Sequence, residues 1–595
     1  KRQHISRRFL PKPNPKRPAM FSRHFPILTR ASTYRRDTFS ADAIAAIIVT
    51  IMLIPQSLAY ALLAGLPPEI GLYASIAPLV IYTIFGTSMT LAVGLVAVTS
   101  LMTASAIGEL MVRGTPEYLG AAIVLALISG LILIAMGVAR LGFLANFLSH
   151  PVISGFITAS AVIIALSQMK HIFGIHVEGH NLIEQISSLI ASLSDTNLST
   201  LAIGTATIGF LFWSRRMLAS LLEQIGLSKW IANSLSKADP VVAVIATTVA
   251  VWALDLQAAG VAVVGDIPRG LPIPTLPSFD AALWSMLFLP ALMIGVVGYV
   301  ETISVAQTLA AKRRERIDPD QELVAMGAAN VGAAISGGFP VTGGFSRSIV
   351  NFDAGARTPA AGALTASGIA IATMFLTPLL FLLPKATLAA TIIVAVLTLI
   401  DFKTIRQTWA YSESGFAAMF AIIVGTLVLC VELGITAGVL LSLALFLART
   451  SHPHFAIVGR VPETEHYRKV KRHSVETTPG VLSIRIDESL YFPNARFLED
   501  TINEAISERS EIRDVILMCS VVNSIDASAL ESLQHINLRL KDAGITLHLS
   551  EVKGPVMDRL KRSHFLDRLA GNVFLSQFDA DNEIRNRNAL HTVQT

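Results

Sequence analysis

The stretch Phe339-Pro340-Val341-Thr342-Gly343-Gly344-Phe345-Ser346-Arg347-Ser348 lies among long apolar segments, yet it is too short and too broken to be a membrane-spanning helix itself. Crossing a bilayer as a helix takes ~20 mostly apolar residues. A proline and a glycine pair interrupt this run, and a cation sits just beyond them. An earlier stretch, Ala92-Val93-Gly94-Leu95-Val96-Ala97-Val98-Thr99, is likewise short and Gly-containing. The two are the third and tenth apolar segments of the chain, equivalent positions if fourteen segments divide as seven plus seven. Interrupted segments at matching places in two halves of a membrane protein point to a ligand site near the bilayer midplane. Glycine also serves close helix packing in membranes; the matched positions favour the site.

The composition agrees with a membrane setting. Of 595 residues, 52% are hydrophobic and 15% charged, with a mean hydropathy of +0.59. Soluble chains carry about 25% charged residues, so a water-soluble enzyme is excluded. The charge is uneven: 38 of the 408 residues in 43–450 are charged, against 38 of the 145 in 451–595. The first is a membrane domain and the second an ordinary soluble one. Residues 1–42 carry 11 basic and 2 acidic side chains. Beside a hydrophobic domain, such a head marks the cytoplasmic face and touches anionic lipid rather than nucleic acid. No secretory signal with a small-residue cleavage site is visible. Two cysteines, Cys430 and Cys519, without any Cys/His pattern, make a disulfide framework or a metal site unexpected. No phosphate loop or nucleophile elbow occurs, so neither enzyme activity nor a cofactor is expected.

The reading predicts the domains 1–38 (basic segment), 39–450 (membrane domain), 451–478 (linker), 479–580 (small α/β domain) and 581–595 (tail). The predicted helical segments are 41–63, 68–85, 89–107, 118–138, 149–169, 199–213, 240–256, 282–308, 319–336, 341–353, 360–383, 387–400, 413–430 and 434–449. With a cytoplasmic N-terminus, the inner loops carry Arg140, Arg215, Arg216, Lys229, Lys237, Lys312, Arg313, Arg314, Arg316, Arg357, Lys403 and Arg406. The outer ones carry only Arg113, Lys170, Arg269 and Lys385. This satisfies the positive-inside rule and puts the tail domain in the cytoplasm. In that domain, strands over 481–487, 514–519 and 545–549 alternate with helices over 495–507, 526–540 and 555–564.

Few polar residues interrupt the membrane segments. Glu301 lies deep in the eighth, where an ionisable group costs several kcal/mol unless it is paired or hydrated (about 2.5–3.5 on insertion scales). It is a candidate proton carrier, or else a structural carboxylate bonded to unwound backbone or to Arg347. Arg347, with Ser346 and Ser348, offers a cation and hydroxyl donors beside a helix N-terminus, the ingredients of an anion site. Its other reading is neutralisation of Glu301 or snorkelling to a membrane interface. Gln56 and Tyr60, four apart in Ile54-Pro55-Gln56-Ser57-Leu58-Ala59-Tyr60, share a helix face. They suit weak hydrogen bonding to an anion, or Gln56 serves the backbone freed by Pro55. His150 reads as a helix-end residue and Asp526 as an N-cap.

Taken together, these residues resemble the SulP family of sulfate permeases and related anion transporters. The resemblance runs through Ile54–Tyr60 to Gly65-Leu66-Pro67-Pro68-Glu69-Ile70-Gly71-Leu72-Tyr73, then Leu148-Ser149-His150-Pro151-Val152-Ile153-Ser154-Gly155-Phe156. It continues in Val264-Gly265-Asp266-Ile267-Pro268-Arg269-Gly270-Leu271-Pro272 and Asp320-Gln321-Glu322-Leu323-Val324-Ala325-Met326-Gly327-Ala328-Ala329-Asn330, and ends in Ser346-Arg347-Ser348. It implies a polytopic α-helical protein of fourteen segments, a seven-plus-seven inverted repeat with core and gate subdomains, followed by a cytoplasmic STAS domain. It also implies a homodimer and elevator-like alternating access. By position, the anion site falls to Gln56, Tyr60, Val96, Ala97, Gly344, Phe345 and Ser346, with Arg347 just after it. Glu301 matches the acidic position of proton-coupled relatives, and Val305, four residues on, lacks the second acid of sodium-coupled ones. Leu95 stands where members often have proline after the glycine. Ala527 stands where regulatory STAS domains carry a phosphorylatable serine, so a switch of that type is not expected.

The expected function is therefore proton-coupled sulfate uptake across a cell inner membrane. Bicarbonate, a C4-dicarboxylate or chloride exchange stays open as the alternative substrate. A voltage-sensing or signalling membrane protein with a STAS output is the alternative from another class.

Overall fold

The computed structural model describes residues 25–32, 34–147, 150–177, 182–226, 232, 236, 238–428, 431–509 and 511–594. Most of the basic head, with Lys229, Lys237 and Cys430, lies outside them. The chain forms two compact units, residues 1–442 and 443–595.

The first unit is helical. Each of the fourteen expected segments overlaps helical structure, the second divided into Pro68–Tyr73 and Ala77–Phe85, and among the described residues six helices are long and apolar enough to cross a membrane by length and composition. The longest are Ala281–Arg313 and Arg36–Leu63. The third and tenth segments are different. Each begins as an extended strand, β1 (Val93–Gly94) and β2 (Thr342–Gly343), and only then turns helical, over Ala97–Gly108 and Phe345–Asp353. The glycines and the β-branched residues around them favour extended backbone over a continuous helix. Two amphipathic helices were not foreseen, Leu182–Ala191 and Phe402–Tyr411; neither buries a side chain, and both are too short for an apolar run to mark them.

Helices Pro116–Val138 and Pro319–Ile335 pack backbone against backbone. A Cβ on Gly327 would stand 2.6 Å from the Gly130 carbonyl oxygen, and one on Gly130 2.7 Å from that of Gly327. Small residues permit such approach where no hydrophobic effect drives helices together.

The second unit is α/β. Its six-stranded sheet has the order β4-β3-β5-β6-β7-β8, with β5 (Val481–Ile486), β6 (Asp514–Met518), β7 (Thr546–Ser550) and β8 (Val573–Phe574) parallel. Helices Phe492–Ser507, Ala527–Asp542 and Gly554–Arg562 lie between these strands in sequence, close to the predicted spans. Leu482, Ile484, Leu517, Leu533 and Phe565 form the heart of its core. Residues 451–478, expected as a linker, instead supply β3 (Phe455–Arg460) and β4 (Tyr467–Lys469), antiparallel additions to the sheet. The expected tail likewise belongs to a helix, Gln577–Gln594, which packs Ala580 and Ile584 against Ile516 and Phe574. Both departures come from short or polar pieces whose partners are distant in sequence. Asp526 is an N-cap as predicted: its Oδ1 accepts from Ala529 N at 2.8 Å, and its Oδ2 accepts from Phe492 N at 2.9 Å. Cys519 is buried, which pushes its thiol up to about 12, so it is not a reactive thiol at neutral pH.

Candidate functional site

β1 and β2 meet as an antiparallel pair, Val93 opposite Gly343 and Gly94 opposite Thr342. This crossing joins two chain segments some 250 residues apart. Gly344 N donates to Ala92 O at 3.2 Å, extending the pair by one bond. Beyond the crossing, both short helices begin, at Ala97 and Phe345. Neither has a side-chain cap at its N-terminus, where Val96 and Gly344 are the N-cap residues. An uncapped helix start presents free N–H groups and partial positive charge.

Arg347 lies beside the crossing. It is 3% exposed, and its Nη1 and Nη2 have no hydrogen-bond partner among the described residues. The guanidinium lies against the two glycines: a Cβ on Gly94 would stand 2.6 Å from Nη1, and one on Gly344 2.8 Å from Nε. A side chain at 94 or 344 would therefore push the guanidinium aside, and at 94 the backbone itself, with φ +153°, favours glycine. Burying an unpaired cation is costly, and such a group is a candidate ligand-binding element.

Four elements enclose this point. Helix Arg36–Leu63 packs on both short helices, and helix Ala281–Arg313 packs on both of them and on β2. The latter is tied to β2 by a threonine pair. Thr302 Oγ1 lies 2.9 Å from Thr342 Oγ1, both hydroxyls donate to Gly298 O at 2.6 Å, and Gly343 N donates to Thr302 Oγ1 at 2.9 Å. Glu301 is the neighbour of this anchor. It interacts electrostatically with Arg347 and Tyr60, but no ion pair within 4 Å joins Glu301 to Arg347.

Of the residues expected at the site, Val96, Ala97, Gly344, Phe345, Ser346 and Arg347 are brought together at the crossing. Phe345 and Ser346 are exposed, Gly344 and Ala97 buried. Gln56 and Tyr60 line a neighbouring cleft of about 370 Å³, open mouth included, together with Arg215 and Thr391. Gln56 Oε1 is buried without a hydrogen-bond partner among the described residues. Tyr60 connects the two places, being electrostatically coupled to Arg347, Glu301 and Arg215 alike. His150 begins its helix, His150–Phe173, as expected of a helix-end residue. Arg215, Thr302, Thr342 and Asn330 escaped the sequence reading. Arg215 read only as a loop charge, and the others are small or amide groups common in any membrane helix.

With this geometry in hand, comparison with known proteins is decisive. Residues 39–422 match the sulfate permease family, and residues 472–580 match the STAS domain. The chain belongs to the sulfate permease family. It is 34% identical over 565 residues to the chloroplastic sulfate transporter 4.1 of Arabidopsis thaliana, covering 92% of this chain and 81% of that one. A probable sulfate transporter of Mycobacterium tuberculosis is 31% identical over 562 residues, 93% and 97% of the two chains. The fold is that of the murine anion transporter Slc26a9, with a TM-score of 0.86 over 98% of this chain and 99% of that one at 22% identity. The transmembrane domain of the cyanobacterial bicarbonate transporter BicA superposes with a TM-score of 0.58 at 21% identity, over 68% of this chain and 98% of that one. The protein is a multi-pass membrane protein of an anion-transporting family, with a helical membrane core and a C-terminal STAS domain.

Proposed function

We propose that this protein takes up sulfate together with protons, across a cell inner membrane, by elevator-like alternating access. The single observation that carries the reading is the buried, unpartnered Arg347 guanidinium between two uncapped helix starts. An oxyanion bound there would receive charge-assisted hydrogen bonds from the arginine and backbone N–H groups from both short helices. Gln56 and Tyr60, in the neighbouring cleft, would meet the anion as it enters. Sulfate is favoured because the similar full-length relatives carry that name.

Coupling to protons has a physical reason. Moving a divalent anion inward against an inside-negative potential costs about 2.3 kcal/mol per charge per 100 mV. Protons carried with the anion offset that cost. Glu301 is the group near enough to sense Arg347 without being paired to it. Protonated, it leaves the guanidinium unopposed and the anion well held. Deprotonated on the inner side, it competes for the same cation and favours release. In this reading the N-terminus and STAS domain face the cytoplasm and the unit of assembly is a homodimer.

The test is uptake of radiolabelled sulfate into proteoliposomes of the purified full-length protein, with and without an inward proton gradient. Bicarbonate and succinate serve as competitors. Gradient-driven accumulation is the expected result. Flux of a competitor without sulfate flux would keep the site and change the substrate. No flux of any anion by folded protein would refute the reading.

A further inference from the structure

The crossing of β1 and β2 is not self-supporting. Each strand is two residues long, and a lone two-stranded pair is marginal at best. Both limbs are gripped by one helix, Pro319–Ile335. Near its start, Glu322 is 0% exposed and accepts four hydrogen bonds from the limb leading into β1. Its Oε1 accepts from Thr87 N at 2.7 Å, Thr87 Oγ1 at 2.5 Å and Ser88 N at 3.0 Å, and its Oε2 accepts from Tyr82 OH at 2.9 Å. Eight residues on, Asn330 clamps the limb leading into β2. Its Oδ1 accepts from Val341 N and its Nδ2 donates to Val341 O, both at 2.9 Å. Eight residues of helix are about 12 Å. The same helix is held stiffly by its backbone contact with Pro116–Val138.

We infer that helix Pro319–Ile335 is the jig that sets where the two half-helices meet, and that Glu322 and Asn330 are positioning residues for the anion. The inference rests on the reading of the crossing as the anion site. Chemistry explains the residue types. A carboxylate takes all four donors and presents none of its own. A glutamine there would turn its NH₂ either toward the Thr87 and Ser88 N–H groups or toward Tyr82 OH, which would have to turn round to accept. Asparagine at 330 must both accept and donate; an aspartate would set a carboxylate oxygen against the Val341 carbonyl. Neither Glu322 nor Asn330 lies at the crossing itself, so their effect on anion binding is through the limbs they hold.

The experiment compares KM and Vmax for uptake of sulfate, bicarbonate and succinate by the full-length protein in proteoliposomes, normalised to monodisperse folded protein. Four variants are used: Glu322→Gln, Asn330→Asp, Tyr82→Phe and Arg347→Gln. The expected result is a KM raised roughly 3- to 30-fold in Glu322→Gln and Asn330→Asp, with Vmax per folded molecule within about twofold. Tyr82→Phe, which removes one of four donors, should raise KM by about twofold. A purely structural role would reduce the folded yield and leave KM unchanged. If Glu322→Gln does not fold, Asn330→Asp and Tyr82→Phe carry the test from opposite limbs. Unchanged KM in both overturns the inference. Arg347→Gln separates the two levels of argument. If it alters KM while the jig variants do not, the jig fails and the site stands. If Arg347→Gln behaves as wild type, or the wild type moves none of the three anions, the site reading falls and the inference with it.

Discussion

Two buried charges in this protein are treated in opposite ways. In the STAS unit, Asp514 is 1% exposed, and two partners converge on its Oδ1 while Oδ2 has none among the described residues. His548 Nε2 donates to its Oδ1 at 3.2 Å, and Arg587 Nη2 donates to the same oxygen. His548 is fixed in turn, because its Nδ1 accepts from Asn572 N at 3.1 Å. This cluster ties β6, β7, the approach to β8 and the C-terminal helix together. In the membrane unit, Arg347 is also buried, at 3% exposed, and has no hydrogen-bond partner for either terminal nitrogen among the described residues. The first arrangement follows the rule that buried charges are paired. The second breaks it, and departures from that rule gather at functional sites. On the proposed function Arg347 serves anion binding while Asp514 serves the fold, a contrast that makes opposite predictions for activity and for stability.

The largest effect is expected at Arg347. Arg347→Gln removes the cation but keeps a polar side chain, and anion uptake should fall by roughly 100-fold, the scale of losing one charged partner in a buried pair. Its stability should move the other way. Removing an unpaired buried charge relieves a desolvation cost, so the melting temperature of the variant should equal or exceed that of the wild type. A fall in both activity and melting temperature would place Arg347 beside Asp514 as a structural charge.

A smaller and more specific change is expected at Glu301. Glu301→Gln mimics the protonated carboxyl permanently. Anion binding should stay within about threefold of wild type, while net uptake should slow because release has lost its trigger, and the acceleration by an inward gradient should vanish. Full retention of gradient-driven accumulation in this variant would refute the proton-carrier role.

Much of this contrast was legible in the sequence, and the part that was not has a common cause. Hydropathy located the helical segments, because an apolar run is a local signal. The broken third and tenth segments announced the crossing, because Gly94, Gly343 and Gly344 interrupt apolar runs at matched places. Glu301 and Arg347 stood out as rare charges in apolar surroundings. What could not be read were partnerships across long sequence gaps. Nothing local to Glu322 says that its acceptors will be filled by Thr87 and Ser88, more than 230 residues earlier. Nothing local to Asp514 names Arg587, which lies in a stretch that reads as a polar tail. The strands β3 and β4 were missed for the same reason: Phe455–Arg460 becomes a strand because β5 offers it an edge.

The smallest effect is expected at Asp514, and it should appear in stability alone. Asp514→Asn keeps the shape and discharges the acceptor of the Arg587 bond. Hydrogen bonds to charged groups contribute about 1.5–3 kcal/mol, so the C-terminal helix should lose roughly 30-fold in amide protection against exchange while the folded protein keeps its anion KM. The pH dependence carries the signature. Burial alone would raise the Asp514 pKa, but the hydrogen bonds from His548 and Arg587 outweigh it and hold it below the ordinary carboxylate range. A carboxylate with a depressed folded pKa stabilises fully above its unfolded value, near 4, and loses that contribution as pH falls through the folded value. The difference in protection between wild type and Asp514→Asn should therefore be constant from neutral pH down to about 4 and close below it. A difference that instead persisted unchanged well below pH 4 would mean that the Asp514 carboxylate, and its pairing with Arg587, is not what holds the helix.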